Sequence, residues 1–238
     1  MVSLKTLTKL VSELFFPSNC VYCGRWGKLL CDDCFNQIDF LKYQFCPACK
    51  KVSSGGYANH GCDKRTYLDQ LISLCWYRGP VVSLIQKLKF PPYLKAINTI
   101  LARIINLSLD PDDYMFWQNS IVVPVPLHPH RLNTRGYNQA QIITKELIKN
   151  IHNGKMIELL IKTKDTAPQS LLTDVASRRK NISGGYCVVE NDLDITDKSK
   201  VILVDDVTTS GSTLQECAKT IKQKYPNVFV GGVTIAKG

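Results

Sequence analysis

An α/β domain, built on a parallel sheet with helices on both faces and preceded by a small cysteine-bound module, is the architecture that three features of the sequence predict. Val201, Ile202, Leu203 and Val204 are four apolar residues in a row, three of them β-branched, which is the pattern of a strand covered on both faces. Ile121, Val122, Val123 and Val125 give a second run of this kind, and each run opens into a polar loop followed by apolar residues at helical spacing. Seven of the ten cysteines precede residue 63. That crowding sets residues 1–68 apart as a zinc-binding module and leaves 69–238 for the sheet domain, a length sufficient to bury its own core.

Taken in order, Leu4, Leu7, Leu10, Val11 and Leu14 with lysines between them predict an amphipathic helix rather than the apolar core of a secretion signal. No apolar run approaches the length of a membrane span. A reducing cytoplasm is the expected location, and there paired cysteines point to metal rather than to disulfides. Cys20/Cys23, Cys31/Cys34 and Cys46/Cys49 are three C-x-x-C pairs, a spacing that lets both sulfurs of a turn reach one tetrahedral zinc. Cys62 has no cysteine three residues before it, so His60 is the candidate to complete a site of three thiolates and one imidazole. One or two zinc ions fit this inventory. The shorter loops favour Cys20, Cys23, Cys31 and Cys34 in one site and Cys46, Cys49, His60 and Cys62 in the other, while a crossed pairing, or a single four-thiolate zinc with the other cysteines idle, stays open.

Residues 71–77 read as the strand leaving this module, and Arg78-Gly79-Pro80 turns it into a helix with Val81, Leu84, Ile85 and Leu88 on its apolar face. Pro91-Pro92 ends that helix, a second follows to about Leu107, and Asp110-Pro111-Asp112-Asp113 reads as a surface turn. The strand at 121–127 opens into the basic loop 128–136, and the next helix carries Ala140, Ile143 and Leu147. His128 and His130 flank Pro129 and are expected to shape that loop rather than to react. Lys162, Lys164, Gln169, Arg178 and Asn181 lie in a polar, basic stretch interrupted by Pro168, the composition of a lid. Gly184-Gly185 ends it before a short strand at 186–189. After the strand at 201–204, Asp205 and Asp206 precede Thr208, Thr209, Ser210, Gly211, Ser212 and Thr213, and Leu214, Cys217, Ala218 and Ile221 then repeat at helical spacing. Small hydroxylated residues on a turn that opens a helix suit an anion, because the first amides of a helix lack partners and carry its positive dipole end.

Residues 201–213 resemble the signature of type I phosphoribosyltransferases for phosphoribosyl pyrophosphate (PRPP): four apolar residues, two acids, then Val-Thr-Thr-Ser-Gly-Ser-Thr. The resemblance implies that Thr208 to Thr213 hold the 5-phosphate and that Asp205 and Asp206 are the catalytic acids facing the ribose hydroxyls. It also implies that magnesium accompanies PRPP, and that Arg131, Arg135 and Gly136 receive the pyrophosphate. The wider chain is similar to the ComF family, in which a zinc module precedes such a domain. Val-Pro-Val-Pro-Leu-His-Pro at 123–129, Arg-Gly-Tyr-Asn-Gln-Ala at 135–140, Thr166 with Gln169 and Arg178 with Asn181 carry that likeness, together with the PRPP signature. The departure is the fourth cysteine pair, here Asn59 to Cys62.

The family resemblance implies bacterial competence and the handling of transforming single-stranded DNA beside the competence or DNA-uptake machinery. A formal charge of +10 agrees with a polyanionic partner. Basic residues mixed with aromatics occur at Arg135 and Tyr137 and at Tyr22, Arg25, Trp26 and Lys28, as stacking on single strands requires. Two readings result: a PRPP-binding protein that serves DNA uptake, or an active transferase moving ribose 5-phosphate from magnesium-PRPP to an amine or base. Only a helix and one strand follow the PRPP loop, leaving no visible site for a nucleobase acceptor. That favours the first.

Overall fold

The computed structural model describes residues 19–59, 61–62, 66–89, 94–164, 184–189 and 195–238. The helix expected near the amino terminus, His60, and Gln169, Arg178 and Asn181 of the lid lie outside them. The amino-terminal module carries a short helix α1 (Asp32–Phe35) and a two-stranded antiparallel hairpin, β1 (Gln44–Phe45) with β2 (Val52–Ser53). Leu29, Leu30, Phe35 and Ile38 are among the large buried aliphatic and aromatic groups of its described residues. They pack into the same core as Leu74, Cys75, Leu101 and Trp117.

The sheet domain begins with β3 (Gln70–Trp76), α2 (Pro80–Lys87), α3 (Leu94–Ser108) and α4 (Pro111–Phe116). It continues through β4 (Ile121–Pro124), α5 (Pro129–Arg135), α6 (Gln139–Leu147) and β5 (Lys155–Met156), then the antiparallel pair β6 (Leu160–Lys162) and β7 (Tyr186–Val188). β8 (Lys200–Thr208), α7 (Ser212–Lys224) and β9 (Phe229–Lys237) follow. Five parallel strands make the central sheet in the order β3-β9-β8-β4-β5, the α/β arrangement of a type I phosphoribosyltransferase. Alternation along β8 divides its side chains between the two faces. Ile202 and Val204 join α2, α3 and α6 on one side, while Val201 and Leu203 meet Leu214, Cys217 and Ile221 of α7 on the other.

Three local expectations change. Asp110 to Asp113 start a helix instead of a turn, with Asp113 Oδ2 accepting the Asp110 amide at 3.2 Å. The loop at 128–136 contains α5, which Gly136 closes at φ 81°, a left-handed value that glycine adopts without steric cost. Finally, β8 does not stop at Val204. Its long neighbour β9 keeps the ladder going, pairing Asp205 with Thr234 and Thr208 with Lys237, so both acids are held by the sheet itself.

β3 is an edge strand, and the cysteine module covers it. Leu41 N–H donates to Leu74 O at 2.9 Å, Trp76 N–H to Asp39 O at 2.8 Å, and the Gln44 side-chain amide brackets Ser73 with bonds of 3.0 and 2.9 Å. Buried Gln70 extends the stitching by donating to Gly55 O at 2.9 Å and accepting from Trp117 Nε1 at 3.2 Å. Gly56 is the tightest point: φ is 72°, and a methyl group there would be driven into the Leu71 carbonyl oxygen. Gly56→Ala is therefore expected to lower unfolding stability by about 3 kcal/mol or more. Gly24→Ala, at φ 76° in open space, pays only the backbone term of about 1–2 kcal/mol. Urea midpoints of the two variants, measured against the unsubstituted protein, check the difference.

Candidate metal centres and anion site

The sulfurs of Cys20, Cys23, Cys31 and Cys34 all lie within 4.8 Å of one another, and so do those of Cys46, Cys49 and Cys62. Folding thus collects the pairs in sequential order. A tetrahedral zinc with bonds of about 2.3 Å needs sulfurs about 3.8 Å apart, and Cys23 Sγ and Cys31 Sγ are 3.7 Å apart. The electrostatics fit a cation. Burial opposes charge on Cys20, but the backbone amides of Cys23, Cys31 and Tyr22 outweigh it and draw the thiol down to about 6. Burial and the neighbouring thiols push Cys34 the other way, because further negative charge in the cluster has no counter-ion until a metal supplies one. In the second cluster burial is likewise overcome at Cys46, drawn down to about 7 by the amides of Asn59, Cys49 and Ala48. Asn59 N–H reaches Cys46 Sγ at 3.3 Å.

The anion site forms at the carboxyl ends of β4 and β8, where β8 runs four residues past the end of its neighbour. Their register pairs Pro124 with Val204, so the segments leaving them emerge at the same edge of the sheet. Asn138 ties the first segment down, donating to Val125 O at 2.9 Å while its Oδ1 caps Ala140 N at 3.0 Å. His128 caps α5, its Nδ1 accepting from His130 N at 3.3 Å, which is the shaping role expected of it. Burial lowers the Arg135 guanidinium and the Asp206 carboxylate raises it, which puts Arg135 and Asp206 within each other's field. Burial also lifts Asp205 well above the usual carboxylate range, the charge on Asp206 adds to the rise, and Lys162 opposes it. Arg135 thus lies within electrostatic reach of Asp206, and Lys162 of Asp205, although they come from three separate stretches of chain.

Each acid is oriented locally. Asp205 Oδ1 accepts the Asp206 amide at 2.8 Å, and Asp206 Oδ1 accepts the Val207 amide at 2.7 Å. Beyond them Gly211 turns the chain into α7 at φ 79°, and the hydroxyls of Ser210 and Ser212 lie 2.6 Å apart. Thr208 Oγ1 is buried and has no hydrogen-bond partner among the described residues. A buried hydroxyl of this kind carries a desolvation cost that an incoming acceptor would remove. The turn also meets the first amides of a 13-residue helix, so its donors fit a phosphate. Two carboxylates at the strand end suit ribose hydroxyls and a magnesium ion arriving with the ligand.

Other expectations meet the structure unevenly. Lys164 Nζ stands beside Gly184, at the far end of the stretch read as a lid. Tyr137 is half-buried and donates to Leu88 O at 2.7 Å, which anchors it rather than offering its face for stacking. Trp26 and Tyr22 are 70% and 47% exposed, whereas Arg25 and Lys28 pair with Asp33 and Asp32. Two cations near the anion turn, Lys50 and Lys237, were not anticipated. Nothing in their sequence surroundings marks them, because the docking of the β1–β2 hairpin brings Lys50 there and the register of β9 against Thr208 brings Lys237.

A cysteine module with two thiol clusters, seated on the edge of a type I phosphoribosyltransferase-like sheet, defines the class of this protein. Residues 11–64 match the double zinc ribbon domain. Across most of its length the chain is similar to Competence protein F of Haemophilus influenzae, with 29% identity over 220 residues covering 88% of this chain and 93% of that protein. It is 27% identical over 226 residues to the DNA utilization protein YhgH of Escherichia coli K12, covering 87% and 92% of the two chains. Competence protein ComFC of Bacillus subtilis is 22% identical over 218 residues, or 87% and 84%. The ComF resemblance read from the sequence is borne out by these relatives. Among the described residues no helix is long and apolar enough to cross a membrane.

Proposed function

We propose that this protein binds magnesium-PRPP, or a related ribose phosphate, in the cleft after β4 and β8, and that it handles single-stranded DNA during natural competence. The observation that carries the first part is the buried, unpartnered Thr208 hydroxyl in a glycine-turned loop that directly follows two acids. In this reading the turn at 208–213 receives the 5-phosphate, Asp205 and Asp206 face the ribose hydroxyls, and Arg131, Arg135 and Gly136 receive the pyrophosphate. Lys162 and Lys164, together with Gln169, Arg178 and Asn181, close over it. Zinc in the two cysteine clusters holds the module against β3. The second part rests on the relatives' names and on the exposed aromatic groups of the first knuckle.

Arg25 and Lys28 do not bar a DNA phosphate. Their ion pairs are well exposed, and pairs of this kind contribute little to stability, so exchange for a phosphate costs little. Single-stranded binding that neutralises about four phosphates should weaken roughly 50-fold between 50 and 200 mM salt. Trp26→Ala removes a stacking face and should weaken binding by roughly tenfold with no change in the salt slope. Fluorescence anisotropy of a labelled oligonucleotide tests both. Binding that ignores salt, or that survives Trp26→Ala unchanged, removes the DNA assignment from this surface.

Intact acids keep the transferase alternative in view. Pyrophosphate release from magnesium-PRPP in a panel of amines and bases separates the readings, since release that requires one particular acceptor would replace binding with catalysis.

A further inference from the structure

We infer that Lys50, carried on the second cysteine knuckle, is a phosphate-binding residue of the turn at 208–213, so that the anion site is completed by the zinc module. This rests on the PRPP reading above and assigns part of the site to a segment outside the phosphoribosyltransferase-like domain. Lys50 follows Cys49 directly and has φ 65°, a left-handed value that a lysine rarely adopts. The backbone holds it there because Lys50 N–H bonds Cys46 O at 3.0 Å and Cys46 N–H bonds Lys51 O at 2.8 Å, closing the knuckle around the sulfurs. The side chain then crosses from the module to the sheet domain. A Cβ placed on Gly211 would lie 3.4 Å from Lys50 Nζ and 3.7 Å from Thr208 Oγ1.

One group lying over Gly211 therefore touches both the ammonium and the buried hydroxyl. The ammonium also donates to Pro47 O at 2.8 Å, which fixes its position beside the turn. A narrow crevice between the hairpin and the strand ends, with room for about one water molecule, brings Lys50, Lys237, Thr208, Thr209, Gln44 and Ser73 together beside the turn. Lys237 stays close because it lies 5.3 Å above the Phe45 ring. A monoester phosphate carries charge that these cations can neutralise, and the Thr208 hydroxyl can bond to one of its oxygens. Gln215 of α7 holds the module in place by donating to Thr66 Oγ1 at 2.5 Å and accepting from Tyr67 N at 2.9 Å.

The test is calorimetry on the zinc-loaded full chain with three probes: magnesium-PRPP, ribose 5-phosphate and inorganic pyrophosphate. Lys50→Asn keeps a residue that tolerates the left-handed backbone, and Lys50→Arg keeps the charge. Lys50→Asn should weaken PRPP and ribose 5-phosphate about tenfold each, leave pyrophosphate within twofold, and retain the zinc content of the parent. Lys50→Arg should recover most of the loss. Thr208→Val combined with Lys50→Asn should lose less than the product of the single effects, because both donors serve one group. If the parent binds PRPP and Lys50→Asn binds it equally well, Lys50 has no part in the site. Equal weakening of pyrophosphate would also overturn the assignment, by showing a general field effect. If the parent itself fails to bind PRPP or ribose 5-phosphate, the PRPP reading falls and this inference with it.

Discussion

Asp205→Asn is expected to weaken magnesium-PRPP binding by about 100-fold while making the ligand-free protein more stable at pH 7. The two effects have opposite signs in the PRPP reading, which places the carboxyl for a ligand rather than for the fold. Burial and the charge on Asp206 raise Asp205 well above its ordinary value. Between the ordinary carboxylate value and the raised one, the native state holds a proton that the unfolded chain has released. Stability contributed by this group therefore falls as pH rises through that window. Asparagine removes the ionisation yet retains an oxygen to accept the Asp206 amide, a bond of 2.8 Å in the parent. A gain of roughly 1 kcal/mol is the expected order. Urea unfolding from pH 4 upward should show the parent losing stability relative to the variant, and calorimetry should show the binding loss. A variant that binds poorly and is also less stable would mean the acid supports the fold.

Removing zinc should have the largest effect on stability. Structural zinc sites contribute apparent free energies of about 10–16 kcal/mol, more than the net stability of many domains. Here the loss cannot stay local. Cys20, Cys31, Cys34 and Phe35 share one buried cluster with Leu74, Cys75 and Trp117, and the module satisfies the outer edge of β3. Chelation should lower Tm by more than about 10 °C within a single transition, and near-ultraviolet circular dichroism should report loss of packing around the buried Trp117. Separate melting of the module, with the sheet's transition unmoved, would show that the shared core does not couple them.

Much of this was legible in the chain because it rests on local patterns. The β-branched run at 201–204 specified a strand buried on both faces, and C-x-x-C spacing specified the two sulfurs of each pair, while which pairs meet came only from the folded chain. The extension of β8 through Thr208 was not legible, since it depends on the length of β9, a partner chosen by topology. Asp110 read as a turn for the same residues that make a good helix start, Asp-Pro-Asp-Asp, and only the following Tyr114 and Trp117 packing against the core decides for the helix. The joint between module and sheet was the least visible. Gln44 mimics a strand neighbour with a side chain, and Lys50 reaches the turn at 208–213 from 161 residues away in sequence, measured to Gly211. Neither contact leaves a periodicity.

Magnesium-PRPP titrated calorimetrically into the zinc-loaded protein tests the central assignment most directly. One ligand per chain should bind with micromolar affinity, pyrophosphate and ribose 5-phosphate should each compete for part of the site, and Asp205→Asn should weaken binding about 100-fold. Absence of heat and of competition at millimolar PRPP, from protein with full zinc content and an intact melting transition, would contradict it.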